Sequence, residues 1–226
     1  MLPRMNRDRD LPQLTLEDFR RAVASDRPMP AGVAIAAVSA AFALGLTAKV
    51  LAISARRTTL PAESARTEPL AAAAQAAAQR LLQQAGDDVA AFEAYLAAKR
   101  LPHSTEPERQ ARQQAIDSAV YRVIDLPLVA AQEAADGLQL CSEVSAFTPP
   151  ALAADLRVAA TFLAGALRSF LLCAESNVRG LAPDADSYRE RLATETKRHE
   201  QALRRAEAIA QERPITLPDS GSRSMS

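Results

Sequence analysis

The residue best placed to do chemistry in this sequence is Asp88. It stands seven residues after Leu81 and four before Phe92, a spacing that puts a carboxylate on the apolar stripe of a helix. An acid there is costly unless a cation pairs with it or its pKa rises. The chemistry it offers is that of a general base, or of a counter-charge for a cationic substrate group. The competing reading is that Asp87 or Asp88 caps a helix that restarts after Gly86. Lys49 poses the reverse problem. Phe42, Gly45, Lys49 and Arg56 share one strip of an apolar segment, so the ammonium is expected to pair with Asp88 or Asp155, or to snorkel to the helix end. Arg56 and Arg57 close that segment at the negative end of its dipole, where they can also hold a carboxylate tail. Asp155 sits near a helix start, a position the dipole favours by itself. Ser176 and Asn177 offer a hydroxyl and an amide to a ligand or to orphan carbonyls at a helix end.

The other reactive side chains form no recognisable set. Cys141 and Cys173 are far apart, His103 falls in a loop, and His199 lies on an apolar seam between Leu192 and Leu203. No disulfide framework, zinc spacing, Ser-His-Asp arrangement or phosphate-cradling glycine loop follows from them. The expectation is therefore no metal.

The elements that must position these residues read as helices. Thr15 followed by Glu17 and Asp18 is a helix start, with Leu16, Phe19 and Val23 on one face. After Pro28 and Pro30 a long Ala-rich apolar segment runs from Val33 to Arg57. Its length invites a membrane span, but Lys49 would sit inside it, and a helix apolar all round also suits the centre of a soluble bundle. A loop is expected from Thr58 to Pro69, a helix from Leu70 interrupted or kinked at Gly86 to Asp88, and a loop from Pro102 to Pro107. A helix from about Glu108 to Ala146 should be kinked or split at Pro127. Leu152, Leu156, Ala159, Leu163, Ala166 and Phe170 alternate steps of four and three, the seam of an antiparallel bundle. Tyr188 to Ile209 forms the last helix.

Composition agrees. The 226 residues suit one domain, and 4% aromatics with 7 Gly and no Trp disfavour a β-barrel or sandwich. The fold class is all-α: an up-and-down helical bundle of five to six helices. Residues 1–14 are expected to be a flexible N-terminus, 15–213 a single helical domain and 214–226 a disordered tail. Lysines and arginines number 27 against 27 acids, which argues against a nucleic-acid binder or a membrane-surface protein. The opening MLPRMNRDRDLPQ lacks the grammar of a signal peptide, so the chain is expected to be cytoplasmic.

The ordered blocks PAGVAIAA, SARR, DDVAAFEAYLAAKRLP, DLPLVAAQEA, ALAADL and ESNVRGL resemble the cyclodeaminase/cyclohydrolase family, over about Thr15 to Ile209. The most specific piece is Asp88-Val89-Ala90-Ala91-Phe92 followed by Arg100-Leu101-Pro102 and Thr105. The resemblance implies a homodimer that hydrolyses methenyltetrahydrofolate to formyltetrahydrofolate, with a tetrahydrofolate derivative as substrate. Its deaminase branch instead closes a formimino group and releases ammonia. By the same resemblance Asp88 and Asp155 are the catalytic acids and Gly32, Arg56 and Arg57 bind substrate; Lys49, at a position normally apolar in the family, and Asn177 join the substrate-binding candidates by their own chemistry. The chain also departs from the pattern. The family's triple-glycine turn is Ala31-Gly32-Val33, and the serine of its Ser-Asp pair is Ala154. The alternative implied is a divergent paralogue that keeps the scaffold as a ligand-binding or partner-binding subunit without the activity.

Overall fold

The structure, a computed structural model, describes residues 11–57, 61–181 and 186–211. The expected tail and the first ten residues lie outside the described residues, as do Thr58 to Leu60. Six α-helices account for nearly all of the described chain: α1 Leu16–Val23, α2 Gly32–Arg57, α3 Pro61–Lys99, α4 Glu106–Ser145, α5 Ala153–Leu181 and α6 Asp186–Gln211. Short 3₁₀ turns at Leu11–Gln13 and Pro150–Leu152 complete it, with no strand among the described residues. Helices α2, α3, α4 and α5 pack in a closed ring, each against the next and α5 back against α2, while α6 lies outside on α4 and α5. Short connections between long helices make sequential neighbours antiparallel, which gives the up-and-down arrangement.

Local chemistry explains the boundaries. The Thr15 hydroxyl accepts from the Asp18 amide at 3.1 Å to start α1. Thr105 and Glu108 form a reciprocal capping box at the start of α4. The core is alanine and leucine, with Phe170 the one phenylalanine that is fully buried. Small side chains let helices approach closely. A Cβ on Gly137 of α4 would meet Leu44 of α2 and Leu163 of α5, both at 3.1 Å.

Three sequence expectations change. Among the described residues packing already includes Leu11, only 6% exposed, within the stretch expected to be flexible before Thr15. Residues 61–69, expected as loop, are the first turns of α3. Pro69 is compatible with this because it lies near the N-terminus of a 39-residue helix whose later turns pack. Neither Gly86 nor Pro127 breaks its helix. Both are buried, and packing on either side outweighs a local propensity penalty of about 1 kcal/mol for a helical Gly and about 3 kcal/mol for Pro.

The strip of α2 carrying Phe42, Gly45, Lys49 and Arg56 faces outward rather than into the bundle. Two segments, Gly32–Arg56 and Pro150–Gly180, are long and apolar enough to cross a membrane; 61% and 44% of their apolar windows are buried within the fold.

Candidate functional site

Asp88 lies in the continuous body of α3, so it is not a cap. It is 4% exposed, whereas Asp87 is partly exposed and accepts a hydrogen bond from Gln83 one turn earlier at 3.2 Å. Asp88 is thus the inward-facing member of the pair. It has no hydrogen-bond or ion-pair partner among the described residues, and burial alone pushes its carboxyl from 3.8 up to about 7. At neutral pH it is poised between acid and base.

Cys173 of α5 connects this carboxyl to the surface. Burial and the nearby Asp88 both hold its thiol above the usual value. The same sulfur lies 3.0 Å from where a Cβ on Gly32 would stand, so the absence of a side chain at the start of α2 makes room for it. Gly32 and Cys173 line one end of a surface groove of about 570 Å³ between α2 and α5. Ile35 and Ser39 form its α2 wall, Phe162 and Leu172 its α5 wall. Ala31 supplies no capping oxygen, which leaves first-turn amides of α2 beside the groove without a side-chain cap at that position. Val33 points into the core, so the side chain that replaces the resembled family's glycine does not occupy the groove.

The second acid is elsewhere. The Lys49 ammonium donates to Asp155 at 3.1 Å, joining the C-terminal half of α2 to the first turn of α5. Both side chains are substantially exposed, so this is a surface ion pair. Of the two partners the sequence offered Lys49, the structure selects Asp155. Seventeen residues separate Lys49 from Gly32, about 25 Å along a helix rising 1.5 Å per residue. The structure therefore brings Asp88, Cys173 and Gly32 together at one end of the α2–α5 pair and Lys49 with Asp155 toward the other. Arg56 is a further two turns away and exposed; Arg57 belongs to α2 but its side chain lies outside the described part.

Asn177 lies within α5 rather than at its end, and its amide has a defined task. Pro127 has no N–H to give to the carbonyl four residues earlier, that of Val123. The Asn177 Nδ2 donates to this freed carbonyl at 2.9 Å, closing the gap in α4 from a neighbouring helix.

The sequence profile of formiminotransferase-cyclodeaminases matches residues 15–209. The chain belongs to this family. Methenyltetrahydrofolate cyclohydrolase of Methylorubrum extorquens is 28% identical to this family member over 167 residues, covering 74% of it and 80% of the relative. Formimidoyltransferase-cyclodeaminase of Sus scrofa is 28% identical over 163 residues, 72% of this chain, but the match spans only 30% of that longer protein. The crystal structure of formiminotetrahydrofolate cyclodeaminase from Thermotoga maritima has the same fold, with a TM-score of 0.75, 21% identity, and coverage of 88% of this chain and 96% of that one.

Cys173 was not among the site residues expected from the sequence of this family member. Its signal was present: it follows Phe170 by three, at the edge of the α5 seam, and so belongs to the boundary between core and groove. Among the described residues no group of three or more His, Cys, Asp or Glu side chains is arranged to hold a metal.

Proposed function

We propose that this protein hydrolyses methenyltetrahydrofolate to formyltetrahydrofolate, acting in the cytoplasm as a homodimer and without a metal. The observation that carries the reading is the solitary carboxyl of Asp88, buried, uncompensated by any cation among the described residues, and poised near neutrality behind the groove end. The methenyl bridge of the substrate is an amidinium-like cation. An ionised Asp88 supplies the opposite charge in a low-dielectric setting, where the attraction is strong. It then takes a proton from the attacking water as oxygen bonds to the bridge carbon. Protonated Asp88 returns that proton to the ring nitrogen as its bond to the bridge carbon breaks. The hydroxyl proton of the adduct leaves to solvent as the formyl carbonyl forms. The sum is one water consumed and one proton released, with Asp88 regenerated.

Gly32 lines the groove end where the ligand would lie and leaves room there for the Cys173 sulfur. Lys49, Asp155 and Arg56 stand too far along the helices to touch the same ring system as Asp88 of their own chain, so a role in binding falls on remote parts of the substrate or on a second copy. Asn177 supports the site by holding α4 to α5.

The test is turnover. Purified protein should accelerate the loss of methenyltetrahydrofolate absorbance, and Asp88→Asn should lower that increment by about 10²–10⁴-fold, the range for a lost general base. An unchanged rate in the variant removes Asp88 from the mechanism. No rate above buffer for the parent, together with calorimetric binding of a folate, would support the scaffold-only alternative.

A further inference from the structure

We infer that Cys173 is a gate between the groove and Asp88: seated in the notch that Gly32 leaves, its side chain seals the carboxyl from bulk water, and by rotating it admits one water at a time. This makes Cys173 a positioning residue that acts through Asp88. That the admitted water is the one added to the methenyl bridge rests on the hydrolysis proposed above; the gate itself rests on the geometry. Asp88 is 4% exposed and does not line the groove, whereas Cys173 lines it and is half-buried. The two lie near enough for the charge of the carboxylate to act on the thiol. Cys173 thus stands between the carboxyl and the open space of about 570 Å³. Its seat is specific. A Cβ on Gly32 would come within 3.0 Å of the sulfur, closer than ordinary van der Waals contact. Gly32 is helical, and no glycine among the described residues has a positive φ, so what glycine supplies here is space.

The chemistry of the thiol suits a gate better than a nucleophile. Burial and Asp88 both hold it protonated, which disfavours the thiolate that attack would need. A neutral thiol is a small, weakly polar plug that turns among staggered rotamers. The passage it uncovers is on the order of one water, about 2.8 Å across, too narrow for a fused ring. Asp88 then reaches a substrate only through that water, as a general base does. No other charged or titratable group among the described residues sets its proton affinity. Burial is the one cause of its rise, α2 and α4 contribute nothing, α5 brings Cys173 alone, and Asp87 on its own helix turns away to Gln83. Access of water is therefore what governs the affinity, and the gate governs access.

The experiment follows the Asp88 carboxyl by carbon-13 NMR of the full chain labelled in aspartate, its signal being the one that Asp88→Asn removes. Circular dichroism checks that each variant is folded. The parent should titrate near 7. Cys173→Ala opens the gate, and the midpoint should fall by about one unit or more as water solvates the carboxylate. Cys173→Val keeps a plug in place, and the midpoint should stay at the parental value or above. Gly32→Ala should lower the midpoint in the parent by unseating the sulfur, and leave it unmoved in Cys173→Ala, where no sulfur remains. In turnover, kcat/KM of Cys173→Ala should follow the lowered midpoint to a plateau about ten-fold below the parent, as for a weaker base, with KM within about three-fold. A parental midpoint near 3.8, or one that Cys173→Ala leaves unmoved, overturns the gate. So does a fall of equal size in Cys173→Val. Additive shifts from Gly32→Ala and Cys173→Ala overturn the seat. A midpoint lowered by Cys173→Ala with an unshifted pH–rate profile overturns the link from gate to catalysis. A lowered midpoint with no methenyltetrahydrofolate turnover by the parent upholds the gate while removing the hydrolase reading.

Discussion

Replacing Asp88 by Asn should make the protein more stable at alkaline pH and leave it unaltered in acid. The carboxyl rises from 3.8 to about 7 on folding, because burial disfavours the charged form. Below about pH 4 it is protonated in both the folded and the unfolded chain, and an amide of similar shape changes little. Between 4 and 7 the unfolded chain releases the proton and the folded one keeps it, so stability falls with rising pH. The loss is complete once the pH has passed through the folded value. The rise corresponds to about 4 kcal/mol at about 1.4 kcal/mol per unit. At about 2–4 °C per kcal/mol for a chain of this length, the variant should melt about 8–15 °C above the parent at pH 8 and level with it at pH 4. His199, buried and held below its ordinary value chiefly by desolvation, titrates in the opposite sense; being present in both proteins, it cancels in the difference. Thermal and urea melts from pH 4 to 8.5 at one fixed protein concentration are the assay. Curves for parent and variant that run parallel across this range would refute the claim that Asp88 is buried without compensation.

The same titration should appear in catalysis: kcat/KM for methenyltetrahydrofolate rises through an apparent pKa near 7 as Asp88 ionises, and Asp88→Asn flattens the profile. Asn177→Ala orphans the Val123 carbonyl and should cost about 1–3 kcal/mol in urea unfolding. In a Pro127→Ala background the restored i to i−4 hydrogen bond satisfies that carbonyl, so the cost of Asn177→Ala should fall by about half or more, and additive losses would disprove the link. Lys49→Ala should change stability by less than about 1 kcal/mol, because its ion pair is exposed; a larger loss in chemical unfolding would mean the pair bears weight the geometry does not indicate. Gly137→Leu should cost about 1–3 kcal/mol by overpacking against Leu44 and Leu163, and a neutral result would show that α4 can move away.

Apolar periodicity made the bundle legible before any coordinates: the α5 seam from Leu152 to Phe170 is buried at all six positions read from the sequence. Asp88 was legible for the same reason, since its offsets from Leu81 and Phe92 fix its face. Punctuation residues misled. Gly86, Pro69 and Pro127 read as breaks because their cost is local, whereas what offsets it is packing by helices far away in sequence. The Val123 carbonyl and the Asn177 amide are 54 residues apart, a pairing no local pattern encodes. The outward turn of the Phe42 strip was hidden for a related reason: a helix apolar on every side carries no periodic mark of the face that partners leave open.

Cys173 gives the molecule a built-in reporter. The other cysteine, Cys141, is fully buried with its thiol pushed up to about 11, so an electrophile of modest size meets one sulfur, at the doorway between the groove and Asp88. Any compound lodged there must shield that sulfur from the reagent, and mass spectrometry of the intact chain would count protected and labelled molecules directly. Candidate ligands can thus be ranked by footprinting the native sequence, with no dye, tag or substitution introduced.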